Sequence, residues 1–186
     1  MLTLRFDGLY RPVTQEGGSD PHAGVMCYGW VISRNGKPIA RGHGGYMRRS
    51  DASSNIAEYL GLIEGLEALL DMGAEDEAVE IIGDARSVID QMVGRAAVNS
   101  PSTRPLYRRA QRLANRFHRL LWTWTPRRKN HAADQLTRRA MRQIRANARQ
   151  YRETIHALEM EHQPARSKDF FPLLNLRVYQ PSGLSV

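Results

Sequence analysis

The chain has 186 residues, 27 Lys+Arg against 19 Asp+Glu, a formal net charge of +8 at pH 7 and 41% hydrophobic residues. That length supports one well-buried domain with appendages and is short for two. The lone cysteine, Cys27, excludes an internal disulfide and argues against a cysteine-built zinc site, and no stretch reaches the roughly 18 uninterrupted apolar residues of a membrane span.

With no signal-peptide-like start, the expected location is a reducing, cytoplasmic one with no membrane partner. The charge is unevenly spread. Residues 1–100 carry 9 basic and 14 acidic side chains, whereas residues 104–152 carry 15 basic ones and a single acid, Asp134. A basic half of this kind points to a polyanion, nucleic acid first, although a merely solvated helical face has the same composition.

In chain order, "LTLRF" alternates and meets "DG", so residues 2–7 read as a strand ending in a turn, followed by a Pro- and Gly-containing loop over 10–23. "GVMCYGWVI" and "KPIARGHGGYM" are two further strands joined at Asn35-Gly36, a strong hairpin signal. Ile56, Leu60, Ile63, Leu66 and Leu70 then recur every three or four residues, which predicts a helix ending near Gly73. "AVEIIG" is short and almost wholly apolar, as a central strand covered on both faces would be. A helix over 85–94, a basic helix over about 103–118, the strand "RLLWTWT" and a long helix over about 130–160 follow. Strands first, then strands alternating with helices, predict an α/β fold with a mixed sheet. The expected division is a domain over 1–160, including the long basic helix, and a tail over 161–186.

On that last helix Arg138, Arg142, Arg145, Arg149 and Arg152 step by four, three, four and three, forming one stripe opposite Leu136, Ile144, Ala148, Tyr151 and Ile155. A guanidinium about once per turn suits phosphate contacts. The tail has an apolar patch around Phe170 to Leu176, which either folds back onto the domain or docks on a partner.

Four carboxylates stand out, each with a structural reading beside the chemical one. Asp7 before Gly8 suits a turn. Glu58, three residues after Asn55, suits a capping box. Asp84 suits the cap of the helix at 85, and Asp134, in a first helical turn, complements the helix dipole. Taken together they differ. If the crossover through the 56–70 helix lays the strand ending at Gly83 beside the first strand, Asp84 comes next to Asp7, with Glu58 and Asp134 converging on the same edge. Clustered carboxylates repel unless cations neutralise them, and hard oxygen donors suit Mg²⁺ or Mn²⁺. Two such ions, about 3.5–4 Å apart, are a common device for in-line attack on a phosphodiester.

Asp7-Gly8, "SSNIAEYLGLIEGLEAL", "IIGDARSVIDQMVG" and "PRRKNHAADQLTRRA" resemble, in order and spacing over residues 1–141, the type 1 ribonuclease H family. The resemblance implies the ribonuclease H-like fold, a five-stranded mixed sheet in the order 3-2-1-4-5 flanked by helices. It implies an endonuclease that cuts the RNA strand of RNA–DNA hybrids, leaving 5′-phosphate and 3′-hydroxyl ends, with Asp7, Glu58, Asp84 and Asp134 holding two Mg²⁺ or Mn²⁺ ions. Gly8, Ser53, Ser54 and Asn55 fall where members touch the hybrid; Asn55 keeps the family residue and Ser54 does not.

The chain departs from the pattern in several places. Ala85 replaces a serine common after the third carboxylate. The loop in which many members place a product-release histidine is shortened; His131 is near in sequence but in a different register, and is either a candidate for that role or a helix-start residue. The basic protrusion of some members is missing between 85 and 105; the arginine-rich segment 104–128 and the terminal stripe with Arg142, Arg145 and Arg149 are the expected replacements in substrate binding. A recombinase-type nuclease does not require Glu58, and a proofreading exonuclease would carry Asp-x-Glu where this chain has Asp7-Gly8-Leu9. An inactive module that binds hybrid or double-stranded RNA is the remaining alternative.

Overall fold

A computed structural model describes residues 1–12, 24–48, 50–147, 149, 153 and 170–180. Strands β1 (Leu2–Pro12), β2 (Gly24–Arg34) and β3 (Lys37–Arg48) form an antiparallel meander. The β2–β3 turn places Asn35 at φ 50 and Gly36 at φ 79, the two positive values that a tight hairpin needs and that Asn-Gly supplies cheaply. Helix α1 (Ser54–Asp71) crosses over to β4 (Ala78–Gly83), which lies parallel to β1; α2 (Arg86–Met92) and α3 (Arg104–Ala114) lead to β5 (Arg119–Trp124), parallel to β4. Helix α4 (His131–Ala146) follows a short 3₁₀ turn, and β6 (Phe171–Tyr179) ends the described chain order.

The sheet order is β5-β4-β1-β2-β3-β6. The expected order of five strands is present, but the sheet has six. The apolar patch of the tail is not left unpaired: it folds back as β6, antiparallel to β3 from Met47↔Phe171 to Ala40↔Tyr179. Its composition, Phe-Pro-Leu-Leu-Asn-Leu-Arg-Val-Tyr, alternates too weakly to predict a strand, and pairing with an open edge decides the matter. The expected extension of the last helix to 160 lies mostly outside the described residues, as do Arg152, Ala148, Tyr151 and Ile155.

Two cores sandwich the sheet. Leu2, Leu4, Phe6, Met26, Tyr28, Trp30 and Ile32 alternate onto one face, against α1, with Leu106 and Ala110 of α3 closing the cluster. Val25, Cys27 and Met47 face the other way, against Ala140, Met141 and Ile144 of α4 and Leu173 of β6. Helix α1 is buried nearly all round because it lies between sheet and α3. Both helices that bear on the site approach the sheet over glycines. A Cβ on Gly8 would lie 2.2 Å from the Glu58 nitrogen, and one on Gly29 would lie 2.6 Å from the Ala133 carbonyl oxygen. Among the described residues no helix is long and apolar enough to cross a membrane.

Candidate active site

The site is built where β4 stops. Its last residue, Gly83, pairs with Phe6, so β1 has no partner on that side from Asp7 onward. The first turns of α1 fill the gap, and the Gly8 N–H donates to the Glu58 carboxylate. Three of the structural readings are thereby removed. Asp7 lies inside β1, which runs on to Pro12, and is not a turn residue. The cap of α1 is Ser53, whose Oγ accepts from the Ile56 N–H at 3.3 Å, so Glu58 is free of capping. The N-cap of α2 is Ala85, which leaves Asp84 uninvolved in capping too.

Asp7, Glu58 and Asp84 each bring a carboxylate oxygen to within 4.8 Å of the others. Asp7 is 1% exposed and Glu58 9%. Asp7 Oδ2 and Glu58 Oε2 are buried without a hydrogen-bond partner. Burial pushes the Asp7 carboxyl up to about 7; the charges of Asp84 and Asp134 add to this, while a Thr137 hydrogen bond and Arg127 oppose it. Glu58 is pushed well above the usual carboxylate range by burial, then by Asp7 and Asp84. Two orphaned buried oxygens, on Asp7 and Glu58, among three mutually repelling carboxylates fit a hard divalent cation: all donors are oxygen, and the chain supplies little positive charge of its own.

Asp134 stands apart. It lies in the first turn of α4, but its two oxygens are taken by Arg127 Nη2 at 2.8 Å and Arg138 Nε at 2.7 Å. Its partial burial favours the neutral form, yet these hydrogen bonds prevail and hold it below the usual range. The structure thus brings three of the four expected carboxylates together, with the fourth beside them on two arginines.

Asn130, fully buried and just before α4, is a site residue that sequence reasoning misses. Its Nδ2 donates to the Phe6 carbonyl at 2.7 Å and to Asp84 Oδ1 at 2.9 Å, fixing the middle of β1 just before Asp7, the third carboxylate and the start of α4 with one amide. Trp124 is a second such residue: its Nε1 donates to the Asp84 carbonyl at 3.1 Å, its ring is 41% exposed, and the Arg86 guanidinium lies 5.4 Å from the ring centroid. The only sequence signal for Asn130 is its place in "PRRKNHAAD", and for Trp124 its place at the end of a strand.

The remaining expected residues fall as follows. Ser54 and Ser53 begin α1, and Asn55 Oδ1 accepts from Ser87 Oγ at 3.0 Å, so Ser87 orients the side chain the family resemblance marks. Gly8 serves the close approach of α1. Ala85 presents no side-chain donor. His131 is exposed at the first position of α4. Arg142 and Arg145 are exposed on α4, and Arg149 pairs with Glu153 at 2.8 Å.

A central parallel pair with a meander on one side, and acids where β1 and β4 meet, define the class of ribonuclease H-like folds. The reverse transcriptase-like family matches residues 22–140. The N-terminal RNase H domain of Rv2228c from Mycobacterium tuberculosis, solved as a fusion with maltose-binding protein, superposes with a TM-score of 0.65 at 32% identity, covering 79% of this chain and 97% of that one. RNase H1 of Halobacterium salinarum gives 0.61 at 32% identity, covering 76% and 98%. In sequence, the bifunctional protein Rv2228c is 37% identical over 131 residues, 69% of this chain; the chain spans only 35% of that relative's length. LC11-RNase H1, solved in complex with an RNA/DNA hybrid, shares the fold at 24% identity and a TM-score of 0.63, covering 77% of this chain and 98% of its own. The chain belongs to the type 1 ribonuclease H family of enzymes.

Proposed function

We propose that this protein is a divalent-metal-dependent endonuclease that hydrolyses the RNA strand of RNA–DNA hybrids. The observation that carries the reading is the trio Asp7, Glu58 and Asp84, with buried carboxylate oxygens that no side chain satisfies, in a chain of the ribonuclease H family. Family membership supplies the substrate class, and the trio supplies the chemistry.

Asp7, Glu58 and Asp84 would hold Mg²⁺ or Mn²⁺, with Asp134 joining by release from Arg127 or Arg138. When bound, two such ions lower the pKa of the attacking water and stabilise charge on the phosphorane-like transition state. In the hydrolysis the water oxygen bonds to phosphorus, the P–O3′ bond breaks, and the 3′-oxygen takes a proton, giving 5′-phosphate and 3′-hydroxyl ends. The chain's own residues orient these groups. Asn130 holds Asp84 and β1 at Phe6; the Gly8 N–H holds Glu58; Arg138 and Arg127 keep Asp134 ionised beside the trio. Asn55, held by Ser87, and Ser53 and Ser54 lie at the start of α1 beside the trio, where the 2′-hydroxyls of an RNA strand can be read from the minor groove.

Cleavage of an end-labelled RNA–DNA hybrid in Mg²⁺, Mn²⁺ or chelator, beside RNA duplex, DNA duplex and single-stranded RNA, tests the reading. Metal-dependent cutting of the hybrid's RNA strand is expected, with loss in Asp84→Asn. Tight binding without cutting in either metal would instead identify an inactive binding module.

A further inference from the structure

Part of the basic charge expected along the last helix is already paired. Arg138 is committed to Asp134 and Arg149 to Glu153. Arg139 and Arg142 turn toward the β2–β3 hairpin, where with Arg41 of β3 they line a groove of about 400 Å³ whose apolar wall includes the buried Val31 and Leu136. Among the described residues no carboxylate pairs with Arg41, Arg139 or Arg142. His43, hydrogen-bonded through Nε2 to Gln143 at 2.6 Å, ties β3 to α4 beside the groove. Burial keeps His43 below its ordinary range, and nearby Arg139 and Arg41 push it the same way. Four guanidinium groups from two elements thus line one cleft, Arg138 held by Asp134 and the other three, among the described residues, without a carboxylate partner.

We propose that this groove is a second nucleic-acid contact, taking backbone phosphates of the bound duplex away from the cleavage site. This rests on the hydrolase reading above. The groove also takes in Ala132, in the same turn of α4 as Asp134, so one rigid helix carries both sites. Arg142 lies eight residues beyond Asp134, about 12 Å along the axis. At about 3.4 Å of rise per nucleotide in a strand, that separates the two sites by three to four nucleotides. A duplex seated at the carboxylates thereby brings backbone phosphates to the groove without bending far, and these arginines offer the paired N–H groups that phosphate oxygens accept. An acidic protein surface matches the charge but not this spacing from the site.

The test compares the full chain carrying Asp84→Asn, which keeps the hybrid intact, with the same chain also carrying Arg41→Gln, Arg139→Gln and Arg142→Gln. All three arginines are exposed, so the substitutions leave the core alone. Binding of a labelled hybrid is measured against salt and against hybrid length. The plot of log affinity against log salt should become shallower by about two to three in slope, near one for each phosphate that the variant no longer neutralises. The gain in affinity with lengthening hybrid should shrink as well. An unchanged slope and length dependence overturns the groove as a nucleic-acid contact. Cleavage by the native chain is scored separately, so failure of the hydrolase reading cannot be mistaken for failure of the groove.

Discussion

Helix α1 contributes to two groups of carboxylates with opposite fates. Near its start Glu58 joins Asp7 and Asp84, and two buried oxygens there have no partner. Further along, Glu64, Glu67 and Asp71 all meet Arg177 of β6, at 2.8, 3.0 and 2.8 Å, and the Tyr179 hydroxyl donates to Asp71 at 3.0 Å. The residue type is the same, and so is the helix. What differs is whether the chain brings its own cation. Where it does, acids fasten a strand; where it does not, they stay a concentration of negative charge that an external ion suits.

The largest expected effect separates the two groups by activity. Asp84→Asn should reduce hybrid cleavage at least about 10³-fold, or about 4 kcal/mol of barrier. A loss within tenfold would break the contrast. The second separates them by pH. Asp7 has its carboxyl raised from 3.8 to about 7, so the folded chain retains a proton that the unfolded chain has lost. Its contribution is fully present below pH 3.8 and is lost as pH rises through about 7, on the order of 4 kcal/mol, with Glu58 acting in the same direction. Urea unfolding in chelator should therefore show this part of the stability falling between pH 4 and 8, and Asp7→Asn should flatten the fall. An equal fall in the variant would show that another group is responsible.

At the opposite group, Arg177→Met should lower stability by about 2 kcal/mol at neutral pH without a metal requirement, since it strands Glu64 in a half-dry site. Adding Glu64→Gln should recover part of that loss in a double-mutant cycle; no recovery would mean the pair contributes nothing. Tyr179→Phe, which removes one exposed hydrogen bond to Asp71, should cost only about 0.5–1 kcal/mol by the same unfolding assay.

Much of this is legible in the sequence. The Asn35-Gly36 hairpin, the α1 period and the apolar run of β4 each have a local cause, and local causes survive folding. The convergence of Asp7, Glu58 and Asp84 follows from one topological rule about crossovers. What stays hidden depends on pairings across long stretches of chain. β6 becomes a strand because β3 offers an edge. Asn130 matters because its amide reaches Phe6, 124 residues away. Arg41 joins Arg139 and Arg142 only once the hairpin lies along α4, so a helical wheel alone puts the basic face on Arg142, Arg145 and Arg149. Asp134 is legible as a nearby acid, but its engagement by Arg127 and Arg138 is not.

The return of β6 has a consequence for the order of assembly. Arg177 and Glu64 are 113 residues apart, and the strand that β6 completes, β3, ends at Arg48. During synthesis the meander, both parallel strands and α4 are all made before the guanidinium that gathers Glu64, Glu67 and Asp71 exists. The nascent chain must therefore carry an open sheet edge and a self-repelling helix until its final described strand emerges, and contacts of such long separation form late. The acidic fastening on α1 thus closes only on a chain translated through residue 179.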